Sequence, residues 1–196
     1  MTKAEILDSL IYELKKLDYQ NHPAMVESIV SDVYNQLLGQ MSQDELDMFE
    51  FYAKTYNDQA VTLDTDSNRY YTTLPVAIVN LHRRQGGVLG INSTEGTGHK
   101  FFPTSEQEIR MTDNIEAGIL GRFYGYFVDH GRIWYDGMTV AIAAAGVRLT
   151  LAPQFRDFAS TDEINLPTGM DYSLKQLVID RISNQQVIDL QIEEKD

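Results

Sequence analysis

Over the first 58 residues apolar side chains recur every three or four positions, the period of an amphipathic helix. Ile6, Leu7, Leu10, Ile11, Leu14 and Leu17 share one face of a first helix. Thr2 and Glu5 have capping-box spacing at its start, each side chain satisfying a free amide. Pro23 suits the first turn of a second helix, where its missing N–H would be unpaired anyway. Met25, Val26, Ile29, Val30, Val33, Leu37 and Leu38 form its stripe, and Gly39 is placed to stop it. Ser42 and Glu45 repeat the capping-box spacing and open a third helix through Leu46, Phe49, Tyr52 and Ala53.

From about residue 60 the period changes to two. Ala60–Leu63, Tyr70–Thr73 and Val76–Val79 are short and rich in β-branched and aromatic residues, which predicts strands. Gly86-Gly87 and Glu95–Gly98 mark turns. The clearest hairpin joins Arg122–Val128 to Arg132–Tyr135 through Asp129-His130-Gly131, with Gly131 able to take the left-handed conformation of a three-residue loop. Val147–Leu151 reads as a further strand closed by Pro153, and Ser105 with Glu108 could start a short helix limited by Gly118. Leu174, Leu177, Val178, Ile182 and Ile188 then predict a last helix from about Met170 to Leu190, its second half interrupted by Gln185. Neither end can bury its stripe alone. The expected fold is therefore α+β: N-terminal helices and a C-terminal helix packed together, with an inserted antiparallel β-rich region bearing long loops at 82–100 and 153–170. It forms a single domain over 1–196, divided into a helical block (1–58), a β-rich insertion (59–158), and a loop with the C-terminal helix (159–196).

Charge follows the same division. Residues 1–58 hold 11 acids and 4 bases, 59–158 hold 10 and 9, and 159–196 hold 8 and 3, for a net charge of −13. Such a chain repels nucleic acid phosphates rather than binding them through a broad basic face. Cys is absent, which excludes disulfides, thiolate zinc sites and cysteine nucleophiles. Acids at Glu5, Asp8 and Glu13 argue against a signal peptide, and no run approaches the roughly 18 apolar residues of a membrane span.

Asp64-Thr-Asp66-Ser-Asn68 matches the start of a calcium loop, but Arg69 stands where Gly is needed and Pro75 where the bidentate Glu belongs. Gly96-Thr-Gly98-His-Lys100 is not a phosphate loop, because His99 separates Gly from Lys and Phe101 replaces Ser or Thr. His22, His82, His99 and His130 are scattered without ligand spacing. No serine sits in a nucleophile elbow, and Asp157, Asp162 and Glu163 read as hydrated loop acids. No enzyme and no cofactor emerge. The candidate residues instead suit a protein interface: Tyr124, Tyr126, Trp134 and Tyr135, since aromatics are enriched in interface cores, and Arg83, Arg84 and Lys100 facing an acidic partner. Alternation requires half of these aromatics to face the core instead.

The series Tyr70–Leu81, Phe101–Ser105, the Phe123–Tyr135 hairpin, Val147–Phe158 and Thr161–Met170 resembles head-to-tail connector (adaptor or ring) proteins of tailed bacteriophages, most closely those of crAss-like and related short-tailed phages. It covers roughly residues 60–190, and its most distinctive step is Ile164, Leu166, Pro167 and Gly169 before the last helix. The resemblance implies a non-enzymatic virion structural protein at the portal vertex or neck, assembled in the host cytoplasm. It implies a homo-oligomer ring, commonly a dodecamer, bound to the portal protein and to tail or further ring proteins. Genomic DNA would pass through the central channel without specific binding, and no membrane is involved. Alternatives are a neck or tail-completion protein elsewhere in the virion, an acidic monomeric binding or inhibitor protein, and an enzyme whose site assembles only in space.

Overall fold

A computed structural model describes residues 1–17, 23–41, 52–81, 86–95, 98–105, 124–164, 166 and 169–193, the last nine by their backbone. The chain divides into two compact units, one from Met1–Tyr52 with Gln154–Asp196 and one from Ala53–Pro153. The composition is mixed α and β.

The first unit is helical. Helix α1 (Lys3–Lys16) begins with the capping box of Thr2 and Glu5 and buries Ile6, Leu10 and Leu14. The free amides of its first turn find distant partners: Lys3 and Ala4 donate backbone N–H to the carbonyls of Asp162 and Ser160. Thr2 also bridges to Glu163, and Ile164 donates to the Met1 carbonyl. Helix α2 (Pro23–Gln40) buries Val26, Val30, Val33, Tyr34 and Leu38. It continues through Gly39 rather than stopping there, and Met41 N–H closes on the Leu38 carbonyl. The long helix from Met170 to Glu193 buries Leu174, Val178 and Ile182 and meets α2, where Arg181 donates to Gln36 at 2.9 Å. Leu177, expected on that stripe, is 40% exposed. The expected loop at 153–170 is partly packed: a 3-10 turn at Phe155–Asp157 places Phe155 and Phe158 against Tyr34, with ring centroids 5.4 and 6.4 Å away.

One buried cation joins these parts. The Lys3 ammonium pairs with Glu27 at 2.7 Å and donates to the carbonyls of Arg156 and Phe158 at 2.9 and 3.0 Å. All three of its protons are used, as a buried charge requires.

Among its described residues the second unit contains eight strands: β1 (Lys54–Gln59), β2 (Thr62–Asp64), β3 (Arg69–Thr73), β4 (Val88–Ser93), β5 (Lys100–Pro103), β6 (Gly125–Asp129), β7 (Arg132–Asp136) and β8 (Val147–Leu151). Their order is β1-β8-β4-β5-β6-β7-β3-β2, with every neighbouring pair antiparallel except β5 and β6, which are parallel. The expected purely antiparallel region is thus a mixed sheet. Strands β1 and β2 stand at opposite ends of that order, yet only Ala60 and Val61 separate them in the chain. Three residues span at most about 11 Å, so the two edges converge and the sheet must curl. The stretch from Lys54 to Asp64 behaves as one bent strand that pairs first with β8 and then with β3. A register shift between Tyr56 and Gln59, with Asp58 at φ +52°, makes the bend.

The concave face closes over Val88, Ile91, Phe101, Tyr126, Ile133, Tyr135, Val147, Leu149 and Leu151. A short helix α3 (Val140–Ala145) adds Ile142 to that core, capped by the Thr139 hydroxyl; the Met170–Glu193 helix is α4. The β6–β7 turn has two residues rather than three, His130 and Gly131 at φ +46° and +73°. Positive φ at both positions matches the right-handed twist of the strands. Val76–Val79 is not a strand: it makes a single bridge from Ile78 to Pro153 while Val79 donates to the Ala152 carbonyl. The expected loop at 82–100 contains β4. Most of the third expected helix, from Ser42, lies outside the described residues, as does the segment after Ser105 where a short helix was expected.

Candidate functional site

The chemistry-bearing feature of the second unit is the solvent side of its β3–β7–β6 sheet. Register places Tyr71 opposite Trp134, and Trp134 opposite Phe127. Residues directly opposite in a ladder share a face, so the three rings form a row across the strands. Tyr71 and Trp134 are 5.2 Å apart, and Trp134 and Phe127 stack at 6.4 Å with planes 14° apart. All three are half-buried. The Arg132 guanidinium lies 4.5 Å from the Tyr71 ring and 5.9 Å from Trp134, covering the end of the row. On β5, Phe102 is 48% exposed with the Lys100 ammonium 5.7 Å from its ring.

The sheet's opposite side explains why the other aromatics are unavailable. Tyr126 and Tyr135 are 2% and 3% exposed within the chain. The Tyr135 ring packs on Phe101 at 5.2 Å, and the Tyr126 hydroxyl donates to the Val88 carbonyl at 3.4 Å. Burial pushes the Tyr135 phenol well above its ordinary pKa. Side chains this enclosed offer no surface, so Tyr126 and Tyr135 are core residues rather than interface candidates. Tyr124 is half-buried, 5.5 Å from Phe101 and 4.7 Å from His99. Lys100 and Trp134 remain accessible, while Arg83 and Arg84 lie outside the described residues. Sequence reasoning missed Tyr71, Phe102, Phe127 and Arg132. The signal was available in the period of two, which puts Arg132 and Trp134 on one face and Tyr71 on the face opposite Tyr70.

Beyond one edge of this row, a cleft of about 470 Å³ opens among Leu63, Ser67, Asn68, Arg69, Tyr70 and Asp136. The Asp64 carboxylate accepts from both the hydroxyl and the backbone N–H of Ser67, which lowers its pKa. This is the residue that began the apparent calcium loop, and it closes its own turn instead. At the hairpin tip Asp129 pairs with His130 at 2.7 Å and raises the imidazole pKa. Among the described residues no three His, Asp or Glu side chains converge as metal ligands. None of the described helices is long and apolar enough to cross a membrane.

Charge separates by unit just as it does by sequence segment. Met1–Tyr52 with Gln154–Asp196 carries 19 acidic and 7 basic residues, and Ala53–Pro153 carries 10 and 9. No protein-family model matches this chain, and a search of curated proteins gives no significant match.

Proposed function

We propose that the chain is a non-enzymatic structural subunit of a tailed-phage virion, forming the head-to-tail connector ring between portal and tail. The observation that supports this most directly is the registered row of Tyr71, Trp134 and Phe127 on the solvent side of the sheet. Half-exposed rings beside a guanidinium are the composition of adhesive protein surfaces. They bring no nucleophile or general base with them. In this reading the helical unit, drawn from both ends of the chain, is the fixed body of each subunit. The inserted sheet and its loops are the arm that reaches portal, tail or further ring proteins. DNA slides through a channel whose acidic subunits give it no phosphate contacts to hold.

The test is the mass of the purified chain in solution, by light scattering behind a sizing column, alone and with the portal protein of the same virus. A large closed oligomer, or a monomer that joins the portal stoichiometrically, supports the reading. A monomer indifferent to the portal at high concentration refutes it and favours an acidic monomeric binder.

A further inference from the structure

The polar atoms of the Tyr71–Trp134–Phe127 row limit what can bind there. Neither the Tyr71 hydroxyl nor the Trp134 indole N–H is hydrogen-bonded among the described residues, and neither atom is enclosed. Arg132, exposed at the end of the row, makes no ion pair among them. An indole N–H and a guanidinium donate hydrogen bonds and cannot accept them. The acceptors bordering the row are already in use. Asp129, opposite Arg132 in the register, pairs with His130 at 2.7 Å. Asp64, near enough to feel the Arg132 charge, accepts from Ser67, and Asp136 accepts from the Gly137 amide at 3.0 Å. The row therefore suits a ligand rich in acceptors and apolar surface but poor in donors.

Its length narrows the choice. The three rings stand on adjacent strands, which puts the outer two about 10 Å apart, two strand spacings. A polyproline II helix repeats every three residues, about 9 Å, and its carbonyls are unpaired. Proline adds an apolar ring and has no N–H to satisfy. Strand addition is excluded at this place, because β3, β7 and β6 are each flanked by strands on both sides.

We propose that this row is the docking site for a proline-rich segment of another protein, held as a polyproline II helix with an acidic residue beside its prolines. The proposal rests on the connector reading, in which this face meets a partner, and names that partner's chemistry. Prolines at i and i+3 pack on the rings, and carbonyls between them accept from the Trp134 N–H and the Tyr71 hydroxyl. The acidic residue meets the Arg132 guanidinium. Such a segment is stiff before it binds, so little ordering is lost on docking. The five prolines of this chain stand far apart in its sequence, so the segment belongs to a partner. Nucleic acid fits less well, because Asp64, Asp129 and Asp136 border the row and the net charge of −13 repels phosphates.

Trp134 is the only tryptophan and stands in the middle of the row, so its emission reports occupancy. The test titrates the full chain with decaproline ending in two glutamates, and with a glycine–serine peptide of the same length and charge. We expect a saturable change in emission with the proline peptide alone. Phe127→Ala and Tyr71→Ala, checked for folding by circular dichroism, should each weaken binding about tenfold. Trp134→Phe keeps a ring and loses the N–H, and should cost roughly fivefold by anisotropy of a labelled peptide. Arg132→Gln should cost about threefold, a difference that shrinks as salt rises. No saturable response up to millimolar peptide overturns the proposal; if the portal still binds through Phe127 and Tyr71, the connector reading survives it. Peptide binding by a chain that forms neither ring nor portal complex supports the proposal and overturns the connector reading. Equal binding of the glycine–serine peptide overturns the proposal. So does tighter binding of a glucan oligosaccharide or of oligothymidylate that Phe127→Ala abolishes, which assigns the row to sugar or to single-stranded nucleic acid.

Discussion

Removing the Lys3 ammonium should destabilise the helical unit far more than removing its partner carboxylate. Lys3 is only 7% exposed, and its three protons go to Glu27 and to the carbonyls of Arg156 and Phe158. Lys3→Met keeps the aliphatic stem but leaves the buried Phe158 carbonyl and the part-buried Arg156 carbonyl without this donor, a loss of about 1–3 kcal/mol for each that stays dry. Relief from burying a charge offsets part of this, so the expected loss is about 3 kcal/mol. Glu27→Gln is different, because the Glu27 side chain is 40% exposed and water replaces the ion pair. The ammonium also keeps both carbonyls, so the expected loss is under about 1 kcal/mol. Urea unfolding followed by far-ultraviolet circular dichroism reads the helices. The single Trp134, in the sheet unit, reports separately by fluorescence. The reasoning fails if Lys3→Met stays within about 0.5 kcal/mol of wild type, or if Glu27→Gln is the more damaging change.

Tyr34→Phe should leave stability unchanged or raise it by up to about 1 kcal/mol, because the enclosed Tyr34 hydroxyl has no hydrogen-bond partner among the described residues; a clear loss in urea unfolding would contradict this. Gly87→Ala should cost about 2 kcal/mol or more by Trp134 fluorescence, since its added carbon would sit 2.6 Å from the Val79 carbonyl oxygen and 2.9 Å from the Ile78 side chain. Gly131→Ala meets nothing within 4 Å and should cost only the left-handed strain at φ +73°, about 1 kcal/mol. For Asp64, the folded pKa is lowered chiefly by the Ser67 hydroxyl. Its contribution to the turn is therefore present above the unfolded carboxylate pKa and lost as pH falls through the folded value. Carboxyl NMR titration should show a depressed midpoint that moves up in Ser67→Ala, and an unmoved midpoint would exclude the hydroxyl as the cause.

What the sequence determines by itself is local. The capping box at Thr2 and Glu5, the apolar stripes of α1 and α2, and Leu174, Val178 and Ile182 of α4 announce their helices because each signal lies within a few turns of one segment. The Tyr126–Tyr135 hairpin and β8 are legible for the same reason, as strands that alternate strongly beside a turn residue. The lack of cysteine and the acidity of both ends also need no structure. Tertiary pairing decided the rest. Strand β1 carries Lys54, Tyr56 and Gln59 toward β8's buried residues, so no period-two hydrophobic signal marks it, and only pairing with β8 makes it a strand. Strand β4 is interrupted by Gly90, and α3 spans six residues, too short for a periodic pattern to show. Alternation says that Trp134 and Tyr135 face opposite sides but not which side is covered. Curling the sheet through the bent β1–β2 stretch put Tyr135 and Tyr126 inside and left Trp134, Tyr71 and Phe127 half-exposed. Lys3 is the sharpest case: a lysine in a helix's first turn reads as solvated surface. Carbonyls more than 150 residues away make it a buried anchor.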